Sequence, residues 1–218
     1  MTGGTLQELA LSIPALMVAV ILHEVAHGWV AYKMGDPTPK EAGRLTLNPL
    51  PHIDPVGTLL LPALLMLLGS PILFGWAKPV PVNPANFRDL RKGMFLVSIA
   101  GITANFLLAV LFAAANRLLR TLLYEVPPYL AETLVVPLLI FTAKAVLINL
   151  VLALFNAVPI PPLDGSKALM SFLSYRYWEL FYRYEPYGFL FITLLLVTGV
   201  LQRLIYPPLE LLYRLLLG

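Results

Sequence analysis

The chain has three histidines, and two of them stand four residues apart in His23-Glu24-Val25-Ala26-His27, an H-E-x-x-H pattern. On a helix, positions i and i+4 share a face, so both imidazoles can reach one metal ion. The glutamate beside them can take a proton from an attacking water. With 3 histidines and 8 glutamates in 218 residues, chance supplies such a pattern about 0.0015 times. The bland alternative is that the three polar side chains satisfy one another inside a helix bundle. It is disfavoured because the motif sits in an apolar stretch, where ionisable groups are costly and are kept for function.

A catalytic zinc usually takes three protein ligands. The long zinc-protease signature, with a third histidine six residues on, fails here because that position is Lys33. There is no cysteine, so thiolate ligands and disulfides are excluded. His52, Asp54 and Asp164 remain. His52 and Asp54 lie in Asn48-Pro-Leu-Pro-His-Ile-Asp-Pro55, a loop that could fold back on the motif. Asp164 lies in Asn156-Ala-Val-Pro-Ile-Pro-Pro-Leu-Asp-Gly165, where a long apolar stretch ends. Its alternative reading is a turn residue or helix N-cap, for which Pro-Leu-Asp-Gly is suited.

The elements that must carry these residues are apolar. The chain is 59% apolar and 12% charged, with mean hydropathy +0.80. Soluble domains run near 45–50% apolar and about 25% charged, so an ordinary soluble fold is excluded, as is a disordered chain. A net charge of +3 is too small to point to nucleic acid, and no nucleic-acid partner is expected. The N-terminus lacks a basic region, and its apolar stretch outruns a cleavable signal.

The apolar stretches predict an all-α, polytopic transmembrane bundle of about five or six spans, organised as one domain over residues 1–218. The first runs from Leu9 to Tyr32 and holds the H-E-x-x-H pattern. From Leu9 to His23 is about 21 Å of helix, so the motif lies nearer the Lys33 end. Val56 to Phe74 contains Pro62, Gly69 and Pro71, which predicts a short, kinked or re-entrant segment. Pro79, Pro81 and Pro84 predict an extended Lys78–Val82. Met94–Asn116 is a clear span, Thr133–Pro159 another, broken only by Lys144, and Tyr187–Gln202 a shorter fifth. Ala168–Tyr184 is dense in aromatic residues and arginine, a mix suited to the membrane–water interface. The leucine-rich piece after Pro208 could lie in that interface or pack on the bundle.

Charge bears on orientation. If Val56–Phe74 crosses fully, lysine and arginine counts tie on the two sides. If it is re-entrant, Arg117, Arg120, Arg203 and Arg214 alone lie opposite the rest, the asymmetry expected when the motif end of the first span faces the cytoplasm.

An H-E-x-x-H in the first span, with N-x-x-P-x-P-P-L-D-G after a later one, resembles the site-2 protease family of intramembrane zinc metalloproteases. Gly43-Arg-Leu-Thr-Leu-Asn-Pro-Leu-Pro-His-Ile-Asp-Pro-Val-Gly-Thr58 and Phe74-Gly-Trp-Ala-Lys-Pro-Val-Pro-Val-Asn83 are similar to its compact prokaryotic members. The resemblance covers roughly residues 15–170. It implies that His23, His27 and Asp164 bind one Zn2+, that Glu24 is the general base, and that Asn156 steadies the substrate or oxyanion. The alternative for Asn156 is a polar residue satisfied at a span end. The resemblance also implies that both metal ligand segments share one side of the membrane, which favours the re-entrant second segment. The family's G-P-x-x-N stands here as Gly101-Ile-Thr-Ala-Asn105. The missing proline bears on a kink and leaves the metal ligands untouched.

The sequence therefore predicts a multi-pass protein of a prokaryotic cell membrane, in contact with the bilayer, that hydrolyses peptide bonds in or near transmembrane segments of protein substrates. A metal-ion transporter would use the same ligands but needs ionisable residues on several spans, and beyond the motif the clear spans offer only Lys144. A non-catalytic protein that shields membrane clients has no need of Glu24.

Overall fold

A computed structural model describes residues 3–60, Leu64 and 77–218. Helix α1 runs Gly3–Met34. It ends where Gly35 turns to φ +113°, a left-handed conformation that a side chain would oppose. Helix α2, Leu90–Leu122, is capped by Asp89, whose side chain accepts from the Lys92 N–H at 3.0 Å. Helix α3 covers Val136–Ala157 and continues a helical run that starts at Pro128. Four shorter helices follow: α4 Asp164–Phe172, α5 Tyr175–Tyr184, α6 Gly188–Val197 and α7 Val200–Leu217.

The packing follows from α2. Gly93, Val97, Gly101, Asn105, Ala109 and Ala113 recur every four residues on it, and all are buried. This small-residue ridge lets α1 and α3 approach closely. Towards its far end, Ala109 and Ala113 pack with Val146 and Leu150 of α3 and Leu217 of α7. At the near end, Ala31 of α1, Phe87, Met94 and Val97 enclose Met170 of α4 and Trp178 of α5. The piece after Pro208 thus packs on the bundle through Leu209, Leu212, Tyr213 and Leu216.

The chain is all-helical, as the hydropathy pattern predicts, but the expected five or six spans are not reached among the described residues. Three helical stretches are long and apolar enough to cross a membrane: Ala10–Met34, Leu90–Leu122 and Pro128–Ala157. A fourth exists if the broken pair Tyr175–Val197 and Val200–Leu217 counts as one. Tyr187–Gln202 is not a single span: Gly199 takes a left-handed φ of +74°, and the helices on either side are bent by 74°. The predicted Val56–Phe74 segment lies largely outside the described residues. Its flanks leave and return at one end of the bundle, since the Arg88 N–H donates to the Met34 carbonyl at 3.0 Å.

Residues 77–83 are non-helical. Asp36, just past α1, is buried and pins the end of this segment. It accepts from the Asn83 N–H at 2.7 Å, the Asn86 amide at 2.9 Å, and the Thr38 N–H and hydroxyl at 3.1 and 2.6 Å. Burial alone would raise the Asp36 carboxyl, but the bonds from Asn86, Thr38 and Asn83 outweigh it and hold the group below the usual carboxylate range.

Candidate metal centre

His23 and His27 project from the same face of α1, one turn apart, with ring centroids 4.6 Å apart and near-perpendicular planes. Asp164, the first residue of α4, meets them from across the bundle. Its Oδ2 lies 3.2 Å from His23 Nε2 and 3.1 Å from His27 Nε2, and the two Nε2 atoms are 3.0 Å apart. Among the described residues, this is the group of His, Asp and Glu side chains arranged to hold one ion.

The chemistry of these three atoms asks for a cation. His27 Nδ1 lies 2.6 Å from the Val97 carbonyl, which can only accept, so the proton sits on Nδ1 and Nε2 presents a lone pair. His23 Nδ1 lies 2.6 Å from Asn105 Oδ1, with the same consequence. Asp164 Oδ2 is buried and has no hydrogen-bond donor. With both imidazoles neutral, three electron-rich atoms thus converge on one point. In a tetrahedral zinc site, ligand atoms about 2.0–2.2 Å from the ion stand roughly 3.3–3.6 Å from one another. The separations here lie a little inside that spacing, so His23, His27 and Asp164 fit a zinc ion.

The other predicted residues sort clearly. Glu24 is half-buried beside the imidazoles, and its Oε2 accepts the Val80 N–H at 2.7 Å. His52 is buried but bonded elsewhere: its Nε2 donates to the Thr46 carbonyl at 2.9 Å, and its own carbonyl accepts the Lys78 N–H at 2.9 Å. Asp54 accepts from the Val56 and Gly57 N–H groups at 3.0 and 2.7 Å, as a local cap. The Asn48–Pro55 loop therefore braces the Lys78–Val82 segment and does not join the ligand cluster. Arg44 adds to the brace by donating to the Lys78 and Pro79 carbonyls at 2.5 and 3.3 Å. Asn156 donates its amide to the Leu152 carbonyl of its own helix at 3.0 Å. Lys144 is half-buried on α3.

Sequence reasoning missed part of the site. From its residues alone, Gly101-Ile-Thr-Ala-Asn105 is assigned no role at the metal, only a missing proline, yet both its end residues face the histidines. A Cβ at Gly101 would overlap His27 Nε2 and the His23 ring. Asn105 supplies the partner of His23 Nδ1. The signal was available: an asparagine in the middle of an uncharged span needs a buried partner.

No family model and no solved structure matches the chain. Named proteins do. The chain is 38% identical over 195 residues to "Putative zinc metalloprotease YwhC" of Bacillus subtilis (strain 168), across 89% of this chain and 84% of that protein. It is 30% identical over 193 residues to "Putative zinc metalloprotease Rip2" of Mycolicibacterium smegmatis, across 88% of this chain and 69% of that protein. Against Rip2 of Mycobacterium tuberculosis (strain H37Rv) the identity is 34% over 175 residues, 78% of this chain and 62% of that one. The similarity extends over most of the chain, and by it the chain belongs to the zinc metalloproteases of the YwhC and Rip2 type, with Zn2+ as its metal, which the three converging ligand atoms could hold.

Proposed function

We propose that this membrane metalloprotease works inside the bilayer: a multi-pass, site-2-type protease of a prokaryotic cell membrane that cleaves peptide bonds within or beside transmembrane segments of other proteins. The observation that carries this reading is the position of His23, Glu24 and His27 on a helix whose apolar length, Ala10–Met34, suits a membrane span, with Asp164 of α4 completing the cluster.

His23, His27 and Asp164 would hold the zinc. When bound, the ion polarises the scissile carbonyl and makes water more acidic. Glu24 takes a proton from the attacking water and later passes it to the leaving amine. The Val80 N–H, held on Oε2, fixes the rotamer of Glu24 and leaves Oε1 to carry the proton. Asn156 serves as the group that steadies substrate or oxyanion once its amide turns away from the Leu152 carbonyl.

A substrate helix hides its carbonyls in its own hydrogen bonds, so it must unwind before attack. The Lys78–Val82 segment is the surface proposed to receive it by strand addition. In the structure, the Lys78 and Val80 N–H groups are already engaged by His52 and Glu24, and Pro79 and Pro81 have none. Pairing therefore falls to the Val82 N–H and to the carbonyls of Val80, Pro81 and Val82.

The test is cleavage of a model transmembrane peptide by purified protein in lipid. A chelator should abolish cleavage and zinc should restore it. Glu24→Gln should abolish it while one zinc per chain is retained. Cleavage that survives chelation, or loss of zinc in Glu24→Gln, would overturn the assignment of roles.

A further inference from the structure

Asn105 of α2 and Asn149 of α3 are both fully buried, at 0% exposure, in the apolar centre of the bundle. Their hydrogen bonds form one chain with a single sense. The Asn149 amide nitrogen donates to the Ala145 carbonyl at 2.8 Å, which turns its Oδ1 towards α2. That oxygen accepts from Asn105 Nδ2 at 2.9 Å. Asn105 Nδ2 also donates to the Ala19 carbonyl of α1 at 3.1 Å. Both partners of Nδ2 are acceptors, so the amide cannot be turned end for end without losing both bonds. Oδ1 is left facing His23 Nδ1 at 2.6 Å. His27 has its proton set directly by a backbone carbonyl, whereas His23 depends on a side chain that could rotate if released.

Resting on the zinc-site reading above, we infer that Asn105, locked by Asn149 and the Ala19 carbonyl, is a positioning residue: it fixes the His23 tautomer and thereby sets how tightly the metal is held. Without the Asn105 oxygen, a neutral His23 is free to carry its proton on Nε2, where it opposes metal binding. Partners of this kind, which orient a ligating imidazole, change metal affinity by about 10–100-fold when removed.

The experiment measures zinc affinity of the full chain in detergent by competition with a fluorescent chelator, with no substrate present. Asn105→Leu should raise the zinc Kd about 10–100-fold. Asn149→Leu, which only unlocks the amide, should raise it less. Asn105→Asp keeps the acceptor and should hold zinc more tightly than Asn105→Leu. Asn116 supplies the control for packing: it is equally buried on α2 and donates to the Leu139 carbonyl and the Thr142 hydroxyl at 2.9 and 2.8 Å, remote from the histidines in its bonding. Asn116→Leu should leave the Kd unchanged. The cobalt(II) absorption bands of each variant report the ligand field directly. Wild-type affinity in a folded Asn105→Leu, or an equal loss in Asn116→Leu, would overturn the inference while leaving the protease reading intact. Should Asn105→Leu fail to fold, an unchanged Kd in Asn149→Leu would overturn it. Absence of zinc binding in the unmodified chain would overturn both.

Discussion

At the scale of single residues, the site is built from atoms whose roles are set by what they face. Gly101 is the clearest case, since its missing side chain is the space in which the imidazoles meet. Gly101→Ala should displace His23 and His27 and reduce bound zinc to well below one per chain, measured by metal analysis, with the helical content retained. Val80 acts through its backbone. Val80→Pro keeps the neighbouring backbone, already rich in proline, and removes the one N–H that holds Glu24. A hydrogen bond to a charged group contributes about 1.5–3 kcal/mol, so turnover should fall about 10–150-fold at unchanged zinc content. Unchanged kcat in Val80→Pro would mean that Glu24 is oriented by something else.

At the scale of elements, two loops hold the Lys78–Val82 segment against α1 from opposite ends. Asp36 clamps the Asn83–Asn86 end, and Arg44 with the His52 carbonyl clamps the Lys78 end. The Asp36 carboxyl is depressed in the folded protein, so it adds stability above the ordinary carboxylate pKa of about 4. That contribution is lost as pH falls through this value towards the folded one, because the unfolded chain takes up the proton first. Hydrogen exchange of the Asn83 amide should therefore accelerate, beyond its intrinsic pH trend, on acidification below about pH 4. Asp36→Asn should remove that pH dependence and speed exchange at neutral pH by about tenfold or more. The same division between loop and ligand separates Asp164 from His52. Asp164→Ala should lose zinc and cleavage together, whereas His52→Ala should keep its zinc and lose only part of its turnover, as the brace on Lys78 loosens. The opposite pattern in a metal assay would place the third ligand in the Asn48–Pro55 loop.

At the scale of the whole molecule, α2 is the post against which α1, α3, α4 and α7 pack, and the metal ligands lie on its flank near the end where residues 35–89 leave and return. On the intramembrane function proposed above, such a site, bordered by a proline-fixed segment, would select substrates by how easily their helices open. Glycine or proline near the scissile bond lowers the cost of opening by roughly 1–3 kcal/mol. A matched series of transmembrane peptides carrying Ala-Ala, Ala-Gly or Gly-Pro at one depth should therefore differ about 5- to 150-fold in cleavage rate in lipid. Equal rates, with binding saturated, would show that unwinding does not limit the reaction and would remove the role given to Lys78–Val82.

Local rules made part of this protein legible from its residues. An H-E-x-x-H on a helix places two imidazoles on one face whatever surrounds it, and long uncharged stretches must be helical in a bilayer, so His23, Glu24, His27 and the three long helices follow from short-range geometry. The stop at Gly35 and the cap at Asp89 are equally local. The third ligand was not: spacing left His52, Asp54 and Asp164 open, and a resemblance was needed to choose among them. Only the return of α3 along α2 brings Asp164 to the histidines and leaves His52 bracing a neighbouring segment. The break of Tyr187–Gln202 at Gly199 also escaped, because its apolar composition suits a straight helix or a bent one equally well. Asn105 and Asn149 were passed over for a related reason. An amide in an apolar span has no pattern of its own, and its purpose is set by partners 82 and 44 residues away that only close packing of three helices brings within hydrogen-bonding reach.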